Sequence, residues 1–184
     1  MKKLFIFSLF LFFGLFFDRL NIFKYCILSS IAHECGHIVT YIILMRKLPE
    51  IDVSIFGFKM KNNILNDKHL SRVLISGPLV NLFLAIGGIL KLSTGFSVET
   101  YVFIVVNIII FTVNILPVFY MDGGQLLYLN SKFYREHYRL ISAVCVIVIF
   151  IILFCSTGIK KGALLSAGIF MVYFLFNLSI DIWK

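Results

Sequence analysis

The sequence predicts an all-α polytopic membrane protein of about six transmembrane helices, with a short β-hairpin at the cytoplasmic membrane face. Three observations predict it. Of the 184 residues, 60% are hydrophobic and 14% charged, with a mean hydropathy of +0.99. The apolar residues gather into runs that approach the roughly 20 needed to cross a hydrocarbon core. The Lys and Arg residues collect between those runs. A soluble domain of this length needs far more charge to cover its surface. The whole chain, 1–184, reads as one integral-membrane domain.

The first segment, Leu4 to Leu20, follows Met-Lys-Lys and imitates a secretory signal. Phe16-Phe17-Asp18-Arg19 stands where small residues would mark a cleavage site, so we expect a retained first span. The second segment, Ile22 to Met45, follows almost at once and should pair with the first as a tight antiparallel hairpin. The remaining segments run from Arg72 to Leu92, Thr100 to Met121, Leu140 to Cys155 and Gly162 to Ile182.

Two stretches between the spans have patterns of their own. In Glu50 to Asn63, Ile51-Asp52-Val53-Ser54-Ile55 and Phe58-Lys59-Met60-Lys61 both alternate about Gly57, which predicts the hairpin. In Gln125 to Arg139, apolar Leu126, Leu129 and Phe133 alternate with basic residues. Both a helix along the membrane interface and an ordinary cytoplasmic loop fit that pattern.

With the N-terminus inside, Lys2, Lys3, Arg46, Lys47, Lys132, Arg135 and five further cations fall on the inner side, as does Lys184. Only Arg19, Lys24, Lys91, Lys160 and Lys161 fall outside. The bias predicts cytoplasmic N- and C-termini, and the expected setting is a bacterial cell membrane. The net charge of +8 is scattered between apolar runs rather than gathered in a patch, so the partner it implies is the lipid bilayer and not nucleic acid. Cys26, Cys35, Cys145 and Cys155 lie in apolar runs and form no CxxC, so neither a disulfide nor a thiolate metal site is expected.

The chemistry is concentrated in His33-Glu34-Cys35-Gly36-His37. Residues four apart on a helix share a face, so both imidazoles can bind one zinc ion. Glu34 then stands beside the metal as a general base rather than a ligand. Zinc lowers the pKa of bound water to about 7, and Glu34 would take that proton and return it to the leaving amine. With four His in the chain, the motif arises by chance in roughly a few of every thousand such sequences. Its place in an apolar helix adds weight, because ionisable groups at that depth cost at least ~2.5–3.5 kcal/mol and call for a compensating partner.

A catalytic zinc takes three protein ligands. Asp122 is the favoured third, at the end of the fourth span in Asn114-Ile115-Leu116-Pro117-Val118-Phe119-Tyr120-Met121-Asp122-Gly123-Gly124. Pro117 breaks the helix, and the paired glycines allow close backbone approach. A plain boundary carboxylate is the alternative. His69 and His137 read as solvated loop residues. Asn81 and Asn114, amides in apolar spans, fit either contacts to the substrate backbone or oxyanion, or simple interhelical hydrogen bonds.

Together, His33-Glu34-x-x-His37, Gly77-Pro78-x-x-Asn81 and Asn114-x-x-Pro117-x-x-x-x-Asp122-Gly123 resemble the site-2 protease family of intramembrane zinc metalloproteases. The resemblance spans about Ile22 to Gly124. It implies one zinc ion held by His33, His37 and Asp122, with Glu34 as catalytic base. It implies a transmembrane or membrane-associated protein as substrate, and it leaves room for a regulatory membrane partner. It also implies that the hairpin holds substrate by strand addition. Met121 departs from the leucine usual before the Asp-Gly. With no PDZ-like insertion and no C-terminal CBS-type module, the chain is most similar to compact sporulation-type members. The competing reading is a membrane zinc-binding or transport protein, which needs ligands along a path rather than at one level. A catalytically idle relative would have no need of all four catalytic positions.

Overall fold

The computed structural model describes residue 18 and residues 21–49, 51–54, 57–60 and 66–157. They form α1 (Ile22–Met45), β1 (Ile51–Ser54), β2 (Gly57–Met60), α2 (Asp67–Leu92), α3 (Val98–Ile115), α4 (Asp122–Asn130) and α5 (Lys132–Thr157). The expected spans Leu4 to Leu20 (residue 18 apart) and Gly162 to Ile182 lie outside the described residues.

Among the described residues, three helices, α1, α2 and α3, are long and apolar enough to cross a membrane. The expected fold class is thereby corrected. In place of about six spans, the described chain has five helices, three of them candidate spans, and a two-stranded antiparallel ribbon in the stretch where the hairpin was expected. In that ribbon Ile51 pairs with Met60 and Ser54 with Gly57. The reason lies in what an apolar run can and cannot say. The run Thr100 to Met121 is long enough for a span, but its helix stops at Ile115 because Pro117 cannot continue the ladder. The run Leu140 to Cys155 is the later part of a helix that already begins at Lys132.

The chain divides into two units, Met1–Ile115 and Leu116–Lys184. In the first, α2 packs against both α1 and α3. Apolar side chains gain little from one another over lipid, so helices that meet in a membrane rely on small residues and polar contacts. Both are present. A Cβ on Gly36 of α1 would lie 2.8 Å from Val80 Cγ2 and 3.0 Å from the Ser76 carbonyl, so the α1 and α2 backbones nearly touch there. Ser76 Oγ spans the same contact, donating to the Gly36 carbonyl at 3.0 Å. Leu28, Ile31, Val39, Ile43, Phe83 and Leu90 face outward. That much exposed apolar surface suits a lipid solvent and no aqueous one.

The start of α2 is set locally. Asn66 is its N-cap, accepting a hydrogen bond from the His69 amide at 2.9 Å, and Asp67 adds negative charge in the first turn. Asn66→Ala should lower stability by about 1 kcal/mol, read as an earlier thermal transition of the detergent-solubilised chain. An unchanged transition would show that tertiary packing alone fixes this end.

In the second unit, Ser131 separates α4 from α5: its amide closes α4 on Leu127 at 2.8 Å, and its hydroxyl accepts from the Tyr134 amide at 3.2 Å. The Gln125 to Arg139 stretch is thus helical on both sides of one break. Arg135 caps the end of α4, donating to the carbonyls of Tyr128 at 3.2 Å and Leu129 at 3.1 Å. The loop before α4 is pinned to α5 by two bonds: Tyr134 Oη donates to the Pro117 carbonyl at 3.0 Å, and Ser142 Oγ accepts from the Phe119 amide at 3.1 Å. Burial pushes the Tyr134 phenol above its ordinary pKa, so it stays a donor at neutral pH.

Candidate metal centre

His33 and His37 lie one turn apart on α1 and are both buried, each 6% exposed. Their Nε2 atoms approach to 3.1 Å, with the rings nearly perpendicular at 86°. The other ring nitrogens are held from α2. His37 Nδ1 lies 2.7 Å from the Val73 carbonyl, and His33 Nδ1 lies 2.7 Å from Asn81 Oδ1.

These partners decide where the ring protons sit. A carbonyl can only accept, so His37 Nδ1 donates to Val73. Asn81 uses its amide nitrogen as donor to the Ser29 carbonyl at 3.2 Å and to Asn107 Oδ1 at 3.0 Å, which leaves Oδ1 to accept from His33. Both imidazoles therefore carry a proton on Nδ1, and their Nε2 lone pairs converge. Two lone pairs that converge in this way can be shared by a single metal ion. Two nitrogens each about 2.05 Å from a tetrahedral zinc stand roughly 3.3 Å apart, close to the spacing found. An Nδ1–H held by an oxygen acceptor is also the usual outer support of a metal-ligating histidine. The donor set fits zinc.

Space for the pair comes from Gly77 on α2. A Cβ there would overlap Nε2 and Cε1 of His37 and stand 2.8 Å from His33 Nε2. Pro78, fully buried beside it, has no N–H for the Leu74 carbonyl, and its ring opens that turn of the helix. The neighbouring Val73 carbonyl then serves both Ser76 Oγ, at 2.6 Å, and His37. The Gly77-Pro78-x-x-Asn81 segment thus supplies room for the imidazoles and, around it, both Nδ1 acceptors.

The other expected residues are placed as follows. Glu34 follows His33 on α1 and is half-buried. Asp122 opens α4 in the second unit, where a first-turn carboxylate is favoured by the helix dipole. Gly124 after it is required by the loop's own path, since a Cβ would overlap the Val118 carbonyl. Asn81 has no amide hydrogen to offer a substrate, because both are committed and the residue is fully buried. It makes the interhelical hydrogen bonds that were its other reading, one of them to His33. Asn114 is half-buried, with Nδ2 on the Ile110 carbonyl of its own helix at 3.0 Å. His69 and His137, expected in loops, lie on helices. Sequence reasoning missed Asn107, a fully buried amide on α3 whose only signal was its polarity within an Ile/Val-rich run.

No protein-family model matches the chain, and no curated protein matches it. The likeness to site-2 proteases rests on the motifs alone.

Proposed function

We propose that the chain is an intramembrane zinc metalloprotease of the site-2 type. It is a metalloendopeptidase that cleaves a transmembrane or membrane-associated protein substrate in regulated intramembrane proteolysis. The observation that carries this reading is the buried His33–His37 pair, with both Nδ1 atoms tied to acceptors and both Nε2 atoms 3.1 Å apart. As the third ligand we assign Asp122, on the Asn114-x-x-Pro117-x-x-x-x-Asp122-Gly123 motif. His33, His37 and Asp122 would hold one zinc ion, three being the number of protein ligands a catalytic zinc takes.

A bound zinc ion supplies Lewis acidity, lowering the pKa of a coordinated water to about 7 and polarising a carbonyl. The chain's own residues do the rest. Glu34 takes a proton from the attacking water and delivers it to the leaving nitrogen as the peptide C–N bond breaks. Asn114 offers its amide to the substrate backbone or to the oxygen that gains charge. A peptide bond inside a helix is shielded by its own hydrogen bonds, so the substrate segment must unwind locally before it can be cut. The inner-side bias of Lys and Arg supports cytoplasmic termini; the membrane we propose is a bacterial cell membrane, with water reaching the metal from the cytoplasmic side.

The test is metal content together with cleavage. The purified full chain should hold one zinc per molecule and cut a co-expressed membrane substrate, with no zinc flux into liposomes. Asp122→Asn should weaken zinc binding by about 100-fold through loss of one anionic ligand. Unchanged zinc affinity in that variant would remove Asp122 from the ligand set.

A further inference from the structure

We propose that Asn107 is a positioning residue for the metal centre: through Asn81 it holds His33 as the Nδ1–H tautomer and so aims the Nε2 lone pair at the metal. The inference rests on the metal-binding reading above and deepens it.

Ser29 on α1, Asn81 on α2 and Asn107 on α3 meet in the packed interior of the first unit, at 1%, 0% and 0% exposure. The order of donors and acceptors through them runs one way. Asn107 Nδ2 donates to the Phe103 carbonyl of its own helix at 2.9 Å, which turns Asn107 Oδ1 towards Asn81. That oxygen accepts one Asn81 amide hydrogen, the Ser29 carbonyl accepts the other, and Asn81 Oδ1 is left facing His33 Nδ1. An Asn81 amide rotated by half a turn would point oxygen at two acceptors and a donor at His33. His33 would then carry its proton on Nε2, the nitrogen that has to bind metal.

Stability alone is a weak reason for such a chain. Hydrogen bonds between membrane helices average only ~0.6 kcal/mol, and apolar side chains would fill the same space. What the amides do that leucines could not is fix a direction. Outer-shell partners of metal-binding histidines typically contribute 10–100-fold in metal affinity. Asn107 belongs to this category although it touches neither imidazole in the bonds described.

The test uses the full chain in lipid nanodiscs. Imidazole tautomers are read by ¹⁵N NMR on the metal-free protein, with His33 assigned by comparison with His33→Gln. Zinc affinity is read by competition with a chelator. In the wild-type chain His33 should be protonated at Nδ1; a proton on Nε2 alone would overturn the proposal without any further variant. Asn107→Leu should produce a mixture of His33 tautomers and weaken zinc binding about tenfold, and Asn81→Leu should weaken it 10–100-fold. The double variant should bind zinc no more weakly than Asn81→Leu, because Asn107 acts through Asn81. Losses that multiply would show two independent packing residues and sink the relay. If zinc binds but Asn107→Leu changes neither tautomer nor affinity, the relay is wrong and the metal reading stands. If no zinc binds while Asn107→Leu still redistributes the His33 proton, the relay holds and the metal reading falls.

Discussion

Glu34→Gln is expected to leave one zinc ion per chain and to reduce cleavage of a co-expressed membrane substrate by at least about 100-fold, the lower end of what a positioned general base contributes. Gln matches Glu in size and keeps an acceptor oxygen, so packing changes little. What disappears is the ability to take a proton at neutral pH. Metal should stay because Glu34, adjacent to His33, projects about 100° around the helix from it, off the line shared by His33 and His37. The two readouts separate the roles: lost cleavage with retained zinc fits a base, whereas lost zinc would make Glu34 a ligand. Full cleavage with glutamine in place would refute the protease chemistry assigned to it. The same variant can bind substrate without consuming it, so mass spectrometry of protein captured on it identifies what the enzyme cuts. A zinc transporter predicts a different pattern, with zinc flux in liposomes and indifference to Glu34→Gln.

The parts of this site that follow helical arithmetic were legible. The segment Ile22 to Met45 is an apolar run bounded by polar residues, and α1 has those same ends. Given that helix, the spacing of His33 and His37 forces them onto one face. Pro117 announced a break, and α3 stops two residues before it. What was not legible is tertiary. Asn81 meets His33 across 48 residues, and the Val73 carbonyl that holds His37 carries no side-chain signal at all. A polar residue in an apolar run says that a partner must exist, because burying an amide without one costs roughly 1–3 kcal/mol, but not which partner. Asn81 could therefore be read as a substrate contact until its three bonds were seen.

Among the described residues the span count differs for a related reason. Hydropathy sees composition, whereas a helix is bounded by backbone chemistry. Lys132, Arg135, Glu136 and Arg139 precede an apolar run yet are good helix formers, so α5 begins among them and passes on into the Leu140 to Cys155 run. Ser131, unremarkable in hydropathy, is where the chain does break, because its hydroxyl replaces a ladder bond at the start of the next helix.

Gly77→Ala is expected to weaken zinc binding by at least about 100-fold, the effect of dislodging both imidazoles at once. The added methyl would occupy the place of the His37 ring edge and stand 2.8 Å from His33 Nε2. The clash cannot be relieved by drawing the helices apart a little. A Cβ on Gly36 would lie only 3.3 Å from Gly77 Cα, and the Ser76 hydroxyl bond to the Gly36 carbonyl spans the same point. The rings must therefore turn, and turning breaks the 2.7 Å bonds to Asn81 and Val73 that set their tautomers. Loss of helix cannot explain the result, because Ala is a better helix former than Gly by about 1 kcal/mol. Gly87, on the same helix with no atom within 4 Å of an added Cβ, is the control: Gly87→Ala should leave zinc affinity unaltered. Wild-type zinc affinity in Gly77→Ala, measured by chelator competition on protein that still elutes as a single species in detergent, would mean that the two imidazoles do not hold the metal where they stand.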